Sequence, residues 1–250
     1  MGSLTDGAGR PLRTILAAAL FIGARVLLAP QTGSDAGEDY RVIFGERYAE
    51  AEDYLAERPW IAEAIRLPPE EMRIALSVVF PEIIRFSFLQ DKIQLRALKV
   101  LYVQYGRKYA NFSVGHFQMK PSFIEQIEAD WNRLSSAEEK AALGIASFDP
   151  GDTSEARKNR VLRLDETRWQ VDYLRLFMAI MRKRYGNVTF SSVEDRLRFY
   201  ATAYNAGYSG GAERLRRRME ESHFHLELFS PKRTYNYADV AVFYFRRLDE

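Results

Sequence analysis

Helical spacing of the apolar residues is the feature that most limits what this chain can fold into. From about residue 40 onward, apolar residues recur every three to four positions, and no convincing series of strands interrupts them. Start and stop signals divide this stretch, among them capping-box patterns at Ser136 and Ser192. The pattern predicts one all-α domain over about residues 40–250.

The same signals predict the individual helices. We expect eight helices, which in chain order cover residues 48–60, 69–84, 91–105, 121–134, a short stretch after Ser136, 160–185, 192–207 and 237–248. Residues 148–152 are predicted as a turn and 208–234 as irregular.

Composition excludes several classes of function. The apolar share of 47% excludes wholesale disorder, and a net charge of +2 argues against a dedicated nucleic-acid binder. The absence of Cys removes disulfides, thiolate metal ligands and Cys nucleophiles. His223 and His225 stand two residues apart with no third ligand evident from spacing, so we predict no metal and no cofactor.

Residues 1–39 are predicted to be a signal peptide or membrane anchor followed by a linker. Two arginines precede a short apolar run over 14–24, which is typical of a secretory signal. Small residues at Ser34 and Ala36 offer a cleavage site; the alternatives are an anchor that stays in the membrane and a soluble amphipathic helix. We therefore expect an exported protein, periplasmic or associated with the cell envelope.

Glu82 is the first residue whose position suggests chemistry. It shares an apolar helix face that begins at Ala75. Desolvation on such a face raises the pKa of a carboxyl, and a carboxyl that is protonated near neutral pH can serve as a general acid. The structural alternative is a buried Glu paired with an Arg such as Arg85 or Arg96, or bonded to a helix N-terminus.

The second candidate is the segment over 111–123, which runs into the helix start at Pro121. Ser113 is one of its small residues, and Gly115 permits a positive φ or a close backbone approach. Gln118 carries donor and acceptor atoms that suit sugar hydroxyl and acetamido groups. A plain structural turn is the alternative.

The third candidate is Tyr204-Asn205-Ala206-Gly207 at a predicted helix C-terminus. Tyr204 shares a face with Leu197 and Tyr200 and therefore points inward, where its hydroxyl needs a partner. Glu82 is one candidate partner, and a backbone group is the other.

Taken in order, these three features resemble the signature of the soluble lytic transglycosylases, which share the goose-type lysozyme fold. That family has a catalytic Glu late in an apolar helix, a Gly-x-x-Gln-x-x-Pro segment and a Tyr-Asn-Ala-Gly motif. It also has a Tyr in its closing helix, for which Tyr237 is the best match. The resemblance covers about residues 70–245.

Three departures mark the chain as similar to a divergent member, one of them the order Gln118-Met119, which reverses the Met-Gln of the family. Ile83 stands where the family usually has Ser after its catalytic Glu. The Gly motif also follows Glu82 at a longer distance than in the family, with the predicted helix that ends at Tyr105 between them.

The resemblance implies a lysozyme-like helical domain with a cleft, and peptidoglycan glycan strands as the partner. Glu82 would cleave the bond between N-acetylmuramic acid and N-acetylglucosamine, acting first as acid and then as base, and leave a 1,6-anhydro product. Tyr204 would orient Glu82. The residues that would contact substrate or shape the cleft are Gln118, Tyr204, Asn205, Ser113, Gly115 and Tyr237.

Two alternatives remain open at this point. A lysozyme-like hydrolase would need a second carboxylate, for which Asp91 and Glu125 are the candidates. A glycan-binding or scaffold protein with an inactive cleft would need none.

Overall fold

A computed structural model of the chain describes residues 38–86, 92–226 and 233–248. The described residues belong to one compact unit that begins at Glu38, and they contain α-helices and two isolated β-bridges but no strand. The helices are α1 (Tyr40–Phe44), α2 (Glu46–Ala56), α3 (Trp60–Ile65), α4 (Pro69–Phe86), α5 (Lys92–Tyr105), α6 (Pro121–Leu134), α7 (Ala137–Leu143), α8 (Ser154–Asp165), α9 (Thr167–Tyr185), α10 (Val193–Ala206), α11 (Ala212–Arg218) and α12 (Tyr237–Arg247). The all-α prediction is confirmed.

The predicted signal or anchor segment falls almost entirely outside the described residues. Only its last two residues are described, and Asp39 accepts a hydrogen bond from the backbone N–H of Arg41 at 3.0 Å, which caps α1. Among the described helices, none combines the length and the hydropathy that crossing a bilayer requires.

α4 is the central helix of the fold. It packs against α2, α3, α9, α10 and α12. Every residue from Ile74 to Ile84 is buried, because neighbours cover this part of the helix on all sides. Glu82 lies within that stretch, so packing removes water from its carboxyl group. Pro81 stands directly before it and lacks a backbone N–H, so the usual helical bond to the carbonyl of Ser77 is absent.

A four-residue hairpin, Gly115 to Gln118, leads into α6. Val114 and Met119 close it with two backbone hydrogen bonds, at 3.0 and 3.1 Å. Both ends of the turn have positive φ, 70° at Gly115 and 48° at Gln118. Left-handed backbone is ordinary for Gly and uncommon for Gln, so contacts from the surrounding helices must hold the turn in this shape.

Three predicted boundaries are wrong. The helix predicted over 48–60 ends at Ala56, and α3 begins at Trp60, because proline disfavours helical backbone in the residue before it and Pro59 interrupts the pattern. The stretch over 160–185 is two helices separated by Glu166, whose backbone is extended. The region over 208–234, predicted as irregular, contains α11.

The capping predictions have mixed outcomes. The box at Ser136 is confirmed, since Ser136 and Glu139 exchange both side-chain bonds. At Ser192 only half of the box forms: the Ser192 hydroxyl accepts from the N–H of Asp195, but the Asp195 carboxylate bonds the N–H of Ser191. The predicted cap Asp91 lies outside the described residues.

Candidate active site

A cavity of about 330 Å³ lies beside Glu82, where the end of α4, the hairpin, the start of α6 and the end of α10 converge. Glu82, Ser113, Gln118, Tyr204 and Asn205 line it, so five of the seven predicted site residues come together here. The two that do not line the cavity are Gly115 and Tyr237.

The Glu82 carboxyl is almost fully desolvated. The residue is 5% exposed, and burial raises the pKa of its carboxyl to about 7. The cations of Arg85 and Lys120 oppose this rise but do not cancel it. Arg85 Nη1 lies 3.8 Å from Glu82 Oε2, and Oε2 has no hydrogen-bond partner among the described residues. The structural alternative is therefore present only as a long ion pair, and Oε2 is a buried acceptor without a donor among the described residues.

Gln118 contributes a second buried acceptor. It is 6% exposed, and its Nε2 donates to the carbonyl of Gly115 at 2.7 Å. Its Oε1 has no partner among the described residues. A buried amide oxygen without a donor and a non-glycine residue with φ of 48° both carry a free-energy cost, and such features concentrate at functional sites.

Gly115 does not line the cavity but lies where the hairpin contacts α9. A Cβ atom at this position would lie 1.7 Å from Nε2 of Gln170. Gln170 is buried in α9, where its Oε1 accepts from the N–H of Phe117 at 2.9 Å and its Nε2 donates to the carbonyl of Leu164 at 2.8 Å. Gly115 thus combines the two alternatives expected of it, a positive φ and a close approach. Nothing in the sequence near Gly115 predicts Gln170 as its neighbour.

Of the two partners considered for the Tyr204 hydroxyl, the structure shows the backbone group and not Glu82. The Tyr204 hydroxyl donates instead to the carbonyl of Phe117 at 2.7 Å, because a buried backbone acceptor needs a donor as much as the hydroxyl needs an acceptor. The buried Tyr237 hydroxyl donates to the carbonyl of Val78 at 2.8 Å. Both rings lie close enough to Glu82 for its negative charge to help raise their pKa values, after the larger effect of burial. Tyr204 therefore lines the cavity and bonds the hairpin backbone, whereas Tyr237 bonds the α4 backbone one turn before Glu82.

The cavity carries more positive than negative charge. Arg85, Arg107 and Lys120 line it, whereas Glu82 is its one carboxylate among the described residues. Of these three cations, only Arg85 was predicted to lie near Glu82, and only as a structural partner. Lys120 directly precedes Pro121 at the start of α6, a position that could have drawn attention, while Arg107 carried no signal in the periodicity.

Of the two proposed second carboxylates, only Glu125 is described, and it does not line this cavity. Glu125 lines an adjoining cavity of about 440 Å³, which meets the first at Arg107 and Gln126. Its carboxylate accepts from the Tyr102 hydroxyl at 2.8 Å and pairs with Arg107 Nη1 at 3.1 Å. Asp91 lies outside the described residues.

No group of three or more His, Asp or Glu in the described ranges could hold a metal ion. His223 Nε2 lies 3.1 Å from the carboxylate of Glu221, as a surface pair. Comparisons of the chain with known protein families, with curated protein sequences and with solved structures return no match. The function is therefore inferred from the chemistry of the site.

Proposed function

We propose that the protein is a peptidoglycan lytic transglycosylase in which Glu82 acts as the single acid and base. The observation that carries this proposal is the desolvated Glu82 carboxyl beside an open cavity, with a pKa of about 7. Near neutral pH such a group exists in both protonation states, so it can donate a proton and later accept one.

The proposed reaction needs one carboxyl and no water. Glu82 donates its proton to the glycosidic oxygen as the bond to C1 breaks, and the substrate's acetamido group stabilises the cation at C1. The Glu82 carboxylate then removes the proton from the C6 hydroxyl while O6 bonds to C1, which yields a 1,6-anhydro sugar. Attack within one sugar gains from proximity, worth roughly 7–11 kcal/mol in favourable cases.

The cavity offers partners for the rest of the sugar. Gln118, Ser113 and Asn205 line this space, and their amide and hydroxyl groups are of the kind that bond sugar hydroxyl and acetamido groups. Arg85 and Lys120 stabilise the carboxylate that exists after the first proton transfer.

A lysozyme-like hydrolase is supported less well. Hydrolysis by the two-carboxylate route needs a second carboxylate facing the reacting carbon. Glu125 lines the adjoining cavity and is engaged by Arg107 and Tyr102. An inactive glycan-binding protein would not need the raised pKa of Glu82, although it would tolerate it.

Mass spectrometry of the soluble products from purified peptidoglycan tests the proposal. We expect the wild type to release anhydro-ended muropeptides, and Glu82→Gln to lower their rate of release by at least about 10²-fold. Glu70→Gln is the matched control, because it alters an exposed carboxylate on the same helix, away from the cavity. Reducing ends would indicate hydrolysis, and glycan binding without products would indicate a binding protein.

The proposal includes export, on the basis of the apolar run over 14–24. A reporter fused after residue 40 should reach the periplasm. A reporter that stays wholly in the cytoplasm would contradict the proposed export and would leave the proposed reaction untested.

A further inference from the structure

One side of α5 presents apolar side chains to solvent. Val100 is 55% exposed, Leu101 40% and Tyr105 57%, while Tyr109, just after the helix, is 70% exposed. The Tyr105 and Tyr109 ring centroids lie 5.4 Å apart, so the two residues form one surface. These four residues are called the α5 face below. Contiguous exposed apolar groups of this kind mark interaction sites more often than isolated ones do.

The stretch of chain that carries the α5 face is cationic, and Asp165 and Glu125 from other helices pair with two of its cations, Lys99 and Arg107. Between positions 92 and 111 the sequence has five Lys or Arg residues and no Asp or Glu. Arg96 and Lys108 are exposed, and no ion pair engages either within the described ranges. Apolar and tyrosine side chains flanked by cations are the composition that binds the interface of an anionic bilayer, where the rings sit among the headgroups.

The α5 face is also close in sequence to residues that line the cavity beside Glu82. Arg107 and Asn111, which line the cavity beside Glu82, stand on either side of Tyr109 in the sequence. A surface that holds the α5 face therefore also lies close to the cavity.

We propose that the α5 face docks the protein peripherally on a bilayer that contains anionic lipid. A second copy of the chain fits less well, because self-association through this face would bring two cationic surfaces together. A glycan strand would explain the tyrosines, but Val100 and Leu101 would find no apolar partner in it. This docking does not depend on the catalytic role proposed for Glu82.

The absence of Cys permits a direct test in the full chain. Gln104→Cys places a single thiol on the exposed side of α5 and keeps all four apolar side chains, so it can carry an environment-sensitive fluorophore. Val42→Cys, at a position 80% exposed on α1, is the matched control. With vesicles of equal parts phosphatidylglycerol and phosphatidylcholine, we expect a blue shift at position 104 and none at 42.

The dependence on lipid charge and on the side chains completes the test. Pure phosphatidylcholine vesicles should bind at least about fivefold more weakly. In the Gln104→Cys chain, Tyr105→Ser with Tyr109→Ser should weaken vesicle binding about tenfold. Arg96→Glu should weaken it as well, whereas Arg217→Glu, an exposed change on α11, should not. Circular dichroism of each variant verifies that the helices persist.

Four results would overturn the proposal: no shift at position 104, an equal shift at both positions, equal affinity for the two vesicle types, or no effect of the tyrosine and Arg96 changes. A shift that appears without vesicles as protein concentration rises would assign the face to a second copy. A shift produced by soluble glycan strands would assign it to the substrate. Both of these results would also reject the bilayer.

Discussion

At the scale of single residues, Glu82 is held in an environment that opposes its ionisation. Its carboxyl is buried in the middle of the fold, and Oε2 has no hydrogen-bond partner among the described residues. The pKa of this carboxyl rises from 4.5 to about 7 because burial outweighs the attraction of Arg85 and Lys120. The folded protein therefore binds this proton more tightly than the unfolded chain does, and the difference affects stability as well as chemistry.

The first prediction concerns stability. Below pH 4.5 the carboxyl is protonated in both states, so its ionisation has no effect on unfolding. Between pH 4.5 and about 7 the unfolded chain loses the proton that the folded protein keeps, so stability falls as pH rises and levels off above pH 7, by about 3 kcal/mol in total. The unfolding free energy of Glu82→Gln minus that of the wild type should therefore be larger at pH 8 than at pH 4 by about that amount. Urea unfolding at both pH values measures the difference.

Glu70→Gln provides the comparison for this measurement. It changes an exposed carboxylate that pairs with Arg196, and we expect no such gain at pH 8. A Glu82→Gln variant whose relative stability did not change with pH would show that the Glu82 carboxyl is solvated in the folded protein.

The second prediction concerns the pH profile of the proposed reaction. The general acid must be protonated in the free enzyme, so kcat/KM should fall above about pH 7. The Lys120 cation lowers the pKa of Glu82, and Lys120→Met should therefore move the descending limb to higher pH. Lys158→Met, an exposed change on α8, should leave the limb in place. A lower rate with an unmoved limb would assign Lys120 a structural or binding role instead.

At the scale of elements, the hairpin over 115–118 depends on two helices that lie far from it in the sequence. Gln170 on α9 holds the N–H of Phe117, and Tyr204 on α10 holds its carbonyl. The hairpin in turn places Gln118 beside Glu82 at the cavity. Disturbing the hairpin should therefore alter the site without any change to a residue that contacts substrate.

The third prediction uses a matched pair of glycines to test this dependence. In Gly115→Ala the new methyl group would displace Gln170 and break its two buried hydrogen bonds, in addition to straining a residue with φ of 70°. We expect a loss of about 2–4 kcal/mol in unfolding free energy together with reduced turnover. Gly144→Ala has a similar φ of 66° but open space around it, so it should lose only about 1 kcal/mol and keep its activity. Equal losses in the two variants would mean that backbone strain alone matters at Gly115.

Short patterns in the sequence predicted those helices and helix ends that depend on residues close together in the chain. The apolar spacing of α4, the proline that begins α6 and the box at Ser136 all lie within a few residues of the feature they specify. The break at Glu166 was missed because apolar spacing continues across it. Next to this break, two arginines of α8 bond Glu128 on α6, which is far from them in the sequence.

The site residues also divide into those predicted by short patterns and those that depend on residues far away in the chain. The motifs identified Glu82, Gln118 and Tyr204, because each stands in a short pattern with a chemical reason, and the structure brings all three to one cavity. A backbone partner for the Tyr204 hydroxyl was one of two possibilities, but which carbonyl accepts could not be predicted, because it lies 87 residues away in the chain. Arg107 was missed for a related reason: nothing in its own neighbourhood of the sequence points to Glu82.

At the scale of the whole molecule, a buried ionic network ties three helices together beside the second cavity. Glu128 on α6 is 3% exposed and accepts from Arg160 Nε at 2.8 Å, from Arg163 Nη2 at 2.7 Å and from the Tyr173 hydroxyl at 2.6 Å. The partners come from α8 and α9, so this one carboxylate joins helices that are separate in sequence. Removing one member of such a group leaves the others buried without their counter-charge.

The fourth prediction follows from that network. Glu128→Gln should lower the free energy of unfolding by about 3–5 kcal/mol, because Arg160 remains buried and keeps only its longer ion pair, with Glu125 at 3.6 Å. Glu63→Gln, an exposed change on α3, should have little effect. The double variant Glu128→Gln with Arg160→Gln should lose less than the two single changes summed, since it removes both charges together. Urea unfolding of the four variants measures the coupling, and additive losses would show that the two side chains stabilise the fold independently.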